Sequence, residues 1–195
     1  MARLTSWIKL RVMKLMMRKY SVSPTRAAAA GAAESPRVRT VNSVADLEEL
    51  QGQEIGLSDW ITIDQPMIDA FAKITLDEYW THTDPERCQR ESPFGQTIVH
   101  GAFTMSLITH LVKQAVHFSG NMPVTVNYGF NRVRFPAPAL SGGRFRLRLG
   151  LIRVERKTGS VQMYWDVKIE AENSPKPCMA AEWITRTYLN LRLGG

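Results

Sequence analysis

The sequence predicts a single α+β domain, in which one long apolar helix is wrapped by a curved antiparallel sheet. Two observations carry that prediction. From Gly101 to about Phe118, the residues Phe103, Leu107, Ile108, Leu111, Val112 and Ala115 recur at helical spacing, with no proline between them. Beyond that stretch the apolar period drops to two, in three successive runs separated by turn residues. A long helix followed by a meander, in 195 residues, is the size and order of one α+β unit.

Taken in order, the chain opens with a basic extension. Arg3, Lys9, Arg11, Lys14, Arg18, Lys19 and Arg26 all precede Glu34, the first acidic residue. The remaining 18 Lys and Arg are matched by 18 Asp and Glu, so the formal charge of +7 belongs to this segment and the body is neutral. A neutral body argues against nucleic acid as a partner. Residues 2–20 form an amphipathic pattern, with Leu4, Ile8, Val12 and Leu15 beside a cationic stripe. Three readings stay open for residues 1–33: a helix lying on a membrane surface, a mitochondrial-type transit peptide, or an unattached tail. The small residues and prolines of "SPTRAAAAGAAESP" read as a linker. The extension and linker therefore span 1–39, and the domain spans 40–195. No run approaches the roughly 20 apolar residues of a spanning helix. Cys88 and Cys178 stand without Cys or His neighbours at metal-ligand spacing, which fits a reducing compartment such as the cytoplasm.

Within the body, Ser43 is a plausible cap for a short helix at Val44–Leu50, and "LSDWITI" alternates as a strand. Asp64 caps a helix whose inner face is expected to carry Met67, Ile68, Phe71, Ala72 and Ile74, and Asp84-Pro85 starts a second short one. His110 and His117 are seven apart on the long helix, too far to hold one ion, and no metal site or cofactor is expected. "PVTVNYGFNRVRF" supplies a strand ended by "PAPA". The three alternating runs follow: Phe145, Leu147, Leu149 and Leu151; then Val161, Met163, Trp165, Val167 and Ile169; then "AAEWITRTYL".

The segment "FAKITLDEYWTHTDPERCQRESPFGQTIVHGAFTMSLI" resembles the hydratase motif of MaoC-like, (R)-specific enoyl-CoA hydratases, in their nodulation-protein-N-like branch. The resemblance runs from about Asp59 to Pro138. It implies a hot-dog fold, commonly a homodimer. It also implies reversible addition of water to a trans-2-enoyl thioester, carried by coenzyme A or acyl-carrier protein, giving the (R)-3-hydroxyacyl thioester. The family's catalytic pair falls on Asp77 and His82, and its oxyanion-binding amide on Gly101. Tyr79, Trp80 and His100 stand beside these positions as expected substrate-binding residues, with a purely structural role also open for His100. Leu76 departs from the family's usual glycine, and Tyr79 from its usual Asn or Gln. A thioesterase on the same fold, or an acyl-thioester binder without turnover, are the alternative functions.

The residue types suit the reaction. A carboxylate and a neutral imidazole can grip one water between them. Positions five apart diverge by about 140° on a regular helix, so Asp77 and His82 can converge only if the helix ends between them. A glycine lets a substrate oxygen approach its amide closely.

Overall fold

The computed structural model describes residues 34–119 and 124–189. The amphipathic helix anticipated within residues 1–33 lies outside them.

Eight strands and six helices are described. In chain order they are β1 (Arg39–Val41), α1 (Val44–Glu49), β2 (Glu54–Leu57), β3 (Ile61–Thr62), α2 (Gln65–Thr75), α3 (Trp80–Thr83), α4 (Pro85–Glu91), α5 (Gly101–Ser106), α6 (Ile108–Ala115), β4 (Val116–Phe118), β5 (Thr125–Arg134), β6 (Arg144–Lys157), β7 (Ser160–Ala171) and β8 (Met179–Tyr188). The main sheet runs β2-β6-β7-β8-β5, with β3 continuing alongside β6, and its pairings are antiparallel.

Period-two patterning decides the inner face of this sheet. Phe145, Leu147 and Leu149 on β6, Val161, Val167 and Ile169 on β7 and Met179 on β8 are fully buried. They close against Ile108, Leu111 and Ala115 of α6 and Phe103 of α5 in one core. On the outer face the intervening arginines find carboxylates. Arg146 and Arg148 both bond Glu170, and Arg148 also bonds Glu34 and Glu54. That network ties Glu34 to the sheet, and Arg37 exchanges two backbone bonds with Leu57. Glu34 and Arg37, ahead of the boundary anticipated at Thr40, are thus attached to the sheet.

Two elements differ from the expected ones. The long helix is two helices, broken at Leu107, and it ends at Ala115. Thr104, Ser106 and Thr109 turn their hydroxyls back onto the carbonyls three residues earlier, Gly101, Phe103 and Ser106. Such back-bonding competes with the helical ladder and bends it. Val116–Phe118 leaves the helix to pair in parallel with β1, so His117 lies on a strand. The end of α6 presses on Gly56, where a Cβ would meet the Ala115 carbonyl oxygen at 2.0 Å. The "LSDWITI" strand is likewise interrupted. Ser58 is buried, accepts from the Leu147 amide through Oγ and donates to the Asp59 carbonyl, so the pairing breaks between β2 and β3.

Candidate active site

The site is assembled where α2 runs out. Asp64 caps α2, its carboxylate accepting from the Met67 amide. At the other end Leu76 adopts φ 61°, ψ 22°, the left-handed conformation that stops a helix, and the Asp77 amide donates to the Ala72 carbonyl at 3.1 Å. The chain restarts as α3, a single turn that carries His82. This break brings Asp77 and His82 to one place, as their spacing requires.

His82 is anchored through one ring nitrogen. Its Nδ1 lies 2.7 Å from the Ile98 carbonyl oxygen. A carbonyl only accepts, so Nδ1 carries the proton and Nε2 presents a lone pair. Burial holds its pKa below the ordinary histidine value; the Ile98 bond opposes that shift, neighbouring His100 adds to it and Asp77 opposes it. His82 is therefore a neutral imidazole at neutral pH.

His100 is 3% exposed and stacks on His82, with ring centroids 3.7 Å apart. Its Nε2 donates to the Asp77 carbonyl at 2.9 Å and stands 3.9 Å from Asp77 Oδ2. It is the strut that holds the Asp77 backbone over the site. Phe71 tilts against His100 and stacks on Phe103, which locks the strut from behind.

Donor atoms of Asp77, His82 and His100 all lie within 4.8 Å of one another. The spacing would suit a metal, but the two rings lie face to face. In-plane lone pairs of stacked rings run side by side and do not meet at one ion. The arrangement suits the exchange of protons with a water better than chelation.

A cleft of about 280 Å³ opens beside His82. Gly101 and Thr104 form one wall; Phe135 and the Pro136–Ala139 run form another, with Cys178 in the lining. Burial pushes the Cys178 thiol up to about 12, so it stays protonated. Gly101 is the first residue of α5, where a helix leaves its N–H without an intrahelical acceptor. The Phe135 ring packs so closely there that a Cβ on Gly101 would meet it at 2.9 Å. Thr104 Oγ1 donates to the Gly101 carbonyl at 2.7 Å and steadies that peptide.

Of the anticipated residues, His82 and Gly101 share the cleft, and Asp77 and His100 join His82. Asp77 is not part of the cleft wall; its side chain is 58% exposed. Tyr79 and Trp80 are not in the lining either. Tyr79 is exposed and tilts against Trp80, over which the Arg87 guanidinium lies 4.4 Å from the ring centroid. Sequence reasoning missed the Ile98 carbonyl, Thr104 and Phe135. Only "PAPA" hinted at the second wall, and it was read as a strand terminator.

A family model for the MaoC like domain matches residues 46–173. The chain belongs to the MaoC-like dehydratase family. Within it, this MaoC-like protein is 43% identical over 150 residues to 3-hydroxyacyl-thioester dehydratase Z of Mycobacterium tuberculosis, covering 76% of this chain and 98% of that one. It is 41% identical over 155 residues to Nodulation protein N of Rhizobium meliloti, covering 76% and 92%. In fold it is similar to R-hydratase PhaJ1 from Pseudomonas aeruginosa, with TM-score 0.55 and 19% identity over 72% of this chain and 83% of that one. The helix-in-sheet layout of this MaoC-like chain is thus the hot-dog fold of those dehydratases.

Proposed function

We propose that this protein is a hydratase/dehydratase that adds water reversibly to trans-2-enoyl thioesters, giving (R)-3-hydroxyacyl thioesters. The observation that carries the reading is the gathering of donor atoms of Asp77 and His82 within 4.8 Å of one another, with His82 in the same cleft as Gly101. In the hydration direction, one water lies between Asp77 and His82. His82 takes its proton as the oxygen bonds to the β-carbon. Asp77 orients the water, and the proton that His82 has taken is the one delivered to the α-carbon, so no proton is gained or lost overall. Meanwhile the Gly101 amide bonds the thioester oxygen as negative charge develops there. One such donor is typically worth roughly 10²–10³ in rate. His100 holds the Asp77 backbone in place. The apolar lining from Phe94 to Cys178 receives the acyl part and excludes bulk water.

The carrier is an acyl-CoA or acyl-carrier-protein thioester. A second copy of the chain is the partner that fits β5. This ten-residue strand ends the main sheet, has no further strand beside it among the described residues, and exposes Val126 and Tyr128. A long unpaired edge of that kind is a template for pairing. Phe135 of the cleft follows it directly, so such a dimer borders the site.

Crotonyl-CoA hydration tests the reading. Wild type should form (R)-3-hydroxybutyryl-CoA without releasing thiol, and Asp77→Asn and His82→Ala should each abolish turnover in a folded protein. Unchanged turnover in either variant removes that residue's role; release of free thiol in place of hydration makes the protein a thioesterase.

A further inference from the structure

Gln65, in the first turn of α2, is the best-connected polar side chain around the site. Its Nε2 donates to the His82 carbonyl at 2.7 Å and to Asp69 Oδ1 at 2.7 Å. Its Oε1 accepts from Thr97 Oγ1 at 2.5 Å and from Ser141 Oγ at 3.3 Å. A primary amide has two donors and two lone pairs, and all four are used here. Thr97 itself is 2% exposed. Three of the partners lie 17, 32 and 76 residues away, on separate segments. A glutamine needed only for solubility, at a helix start, would not be so committed.

What these bonds join matters for the chemistry. His82 rides on α3, one turn of four residues, too short to hold its own orientation. Its ring is anchored to the Ile98 carbonyl, and Ile98 is the neighbour of Thr97. The Ile98 amide in turn donates to the Thr81 carbonyl at 3.0 Å. Gln65 therefore clamps the main chain of His82 to the strip that carries His82's proton acceptor.

We infer that Gln65 is a positioning residue for His82, holding α3 against the Thr97–Ile98 strip so that His82 keeps Nδ1 on the Ile98 carbonyl and aims Nε2 at the reacting water. The inference rests on the reading of His82 as the base. Gln65 is not part of the cleft lining, and it acts only through His82.

The consequence is separable from general damage. With the clamp gone, α3 and the strip part, the ring loses its alignment, and water reaches it. Misplacement of about 1 Å costs roughly 10²-fold in rate. Binding in the cleft is less affected, because Val99 holds its wall independently through a 2.7 Å bond to the Ala139 carbonyl. The ionisable groups around His82 are Asp77 and His100, with Asp69 behind Gln65 and the neutral Cys178 in the cleft lining. Burial is the main cause of the low His82 pKa, so re-wetting raises it.

The test compares wild type, Gln65→Leu, Thr97→Val and His82→Ala in crotonyl-CoA hydration across pH, with melting curves to verify folding. Gln65→Leu should lose roughly 30- to 100-fold in kcat with KM within about threefold. The acid limb of its kcat profile should move up toward the ordinary histidine value. Thr97→Val, which removes one half of the clamp, should move both in the same direction by less. A folded Gln65→Leu with wild-type kcat and an unmoved limb overturns the inference. So does a parallel loss of kcat and rise of KM with the limb in place, which would mark a collapsed cleft. If Gln65→Leu does not fold, Thr97→Val decides, and unchanged kcat and limb in it overturn the inference. Turnover surviving in His82→Ala would bring down the reading of the base and this inference with it. An inactive His82→Ala beside a normal Gln65→Leu removes the inference alone.

Discussion

The β6–β7–β8 meander and the Leu76–Gly101 segment are built on opposite plans. The meander is long, regular and buried on one face. Its twelve paired positions between β6 and β7 extend from Phe145↔Ala171 to Lys157↔Ser160, and its inner residues are nearly all inaccessible. The site segment has one-turn and two-turn helices, a left-handed Leu76, and exposed Leu76 and Tyr79. It is held by point contacts: Nδ1 of His82 on Ile98, Nε2 of His100 on Asp77, and the four bonds of Gln65. The difference teaches where each kind of failure should appear. Damage to the meander should cost stability and lower activity only through the fraction that unfolds. Damage to the point contacts should cost activity and leave the melt nearly untouched.

The largest separation is expected at His82 and Asp77. His82→Ala and Asp77→Asn should lower crotonyl-CoA hydration by at least about 10³-fold, the scale of losing a general base, with little change in melting temperature. The opposite signature belongs to Leu147→Ala. That side chain is fully buried, and the deletion should cost about 3 kcal/mol in denaturant titration, with the residual folded enzyme turning over normally. Gly101→Ala sits between the two. Its new Cβ forces the Phe135 ring aside, and the thioester loses its close approach to the amide. A drop of roughly tenfold or more in kcat/KM with an intact fold is expected from steady-state kinetics.

The pH dependence sharpens the same contrast. The proposed base must be neutral, and burial keeps His82 neutral to a lower pH than an exposed histidine. The acid limb of kcat/KM should therefore lie below about 6.5. In the unfolded chain His82 binds a proton more readily, so its contribution to stability is complete above that value and declines as pH falls toward the lower folded pKa. A limb at or above 6.5 would speak against a desolvated imidazole.

The smallest effect is at Leu76. A non-glycine residue in the left-handed region costs about 1 kcal/mol, and this side chain is 85% exposed, with little packing to offset the cost. Leu76→Gly should raise stability by up to about that amount, measured by thermal melts. Because it also loosens the turn before Asp77, kcat should fall slightly if it changes at all.

The two plans also explain what could be read from the residues alone. The meander was legible because alternation is a local signal, carried by Phe145 to Leu151 and again by Val161 to Ile169, on either side of a register shift at Leu151–Arg153 and a turn. The caps at Asp64 and Asp84 were legible for the same reason. The break at Leu107 was not, since the hydroxyls of Thr104, Ser106 and Thr109 sit inside an otherwise convincing apolar period. Nor was β4, whose partner strand β1 is some 77 residues away, the separation of the neighbouring Asn42–Ser119 bond. In the site, the spacing of Asp77 and His82 excluded one continuous helix through both; the helix was expected to end between them, and it ends instead at Thr75, ahead of Asp77, with Leu76 as its left-handed cap. Gln65 and the Ile98 carbonyl were invisible because a glutamine in a first turn reads as solvated polar, and a backbone carbonyl has no sequence identity. Their importance arises only from bonds between distant segments.

In the proposed reaction Asp77 and His82 act on one water. The most direct measurement is the hydration rate of Asp77→Asn, His82→Ala and the double variant with crotonyl-CoA. Groups that serve one water act as a unit, so the double variant should be about as slow as the slower single one. Losses that multiply in the double variant would mean that the two side chains act independently, and would contradict the account.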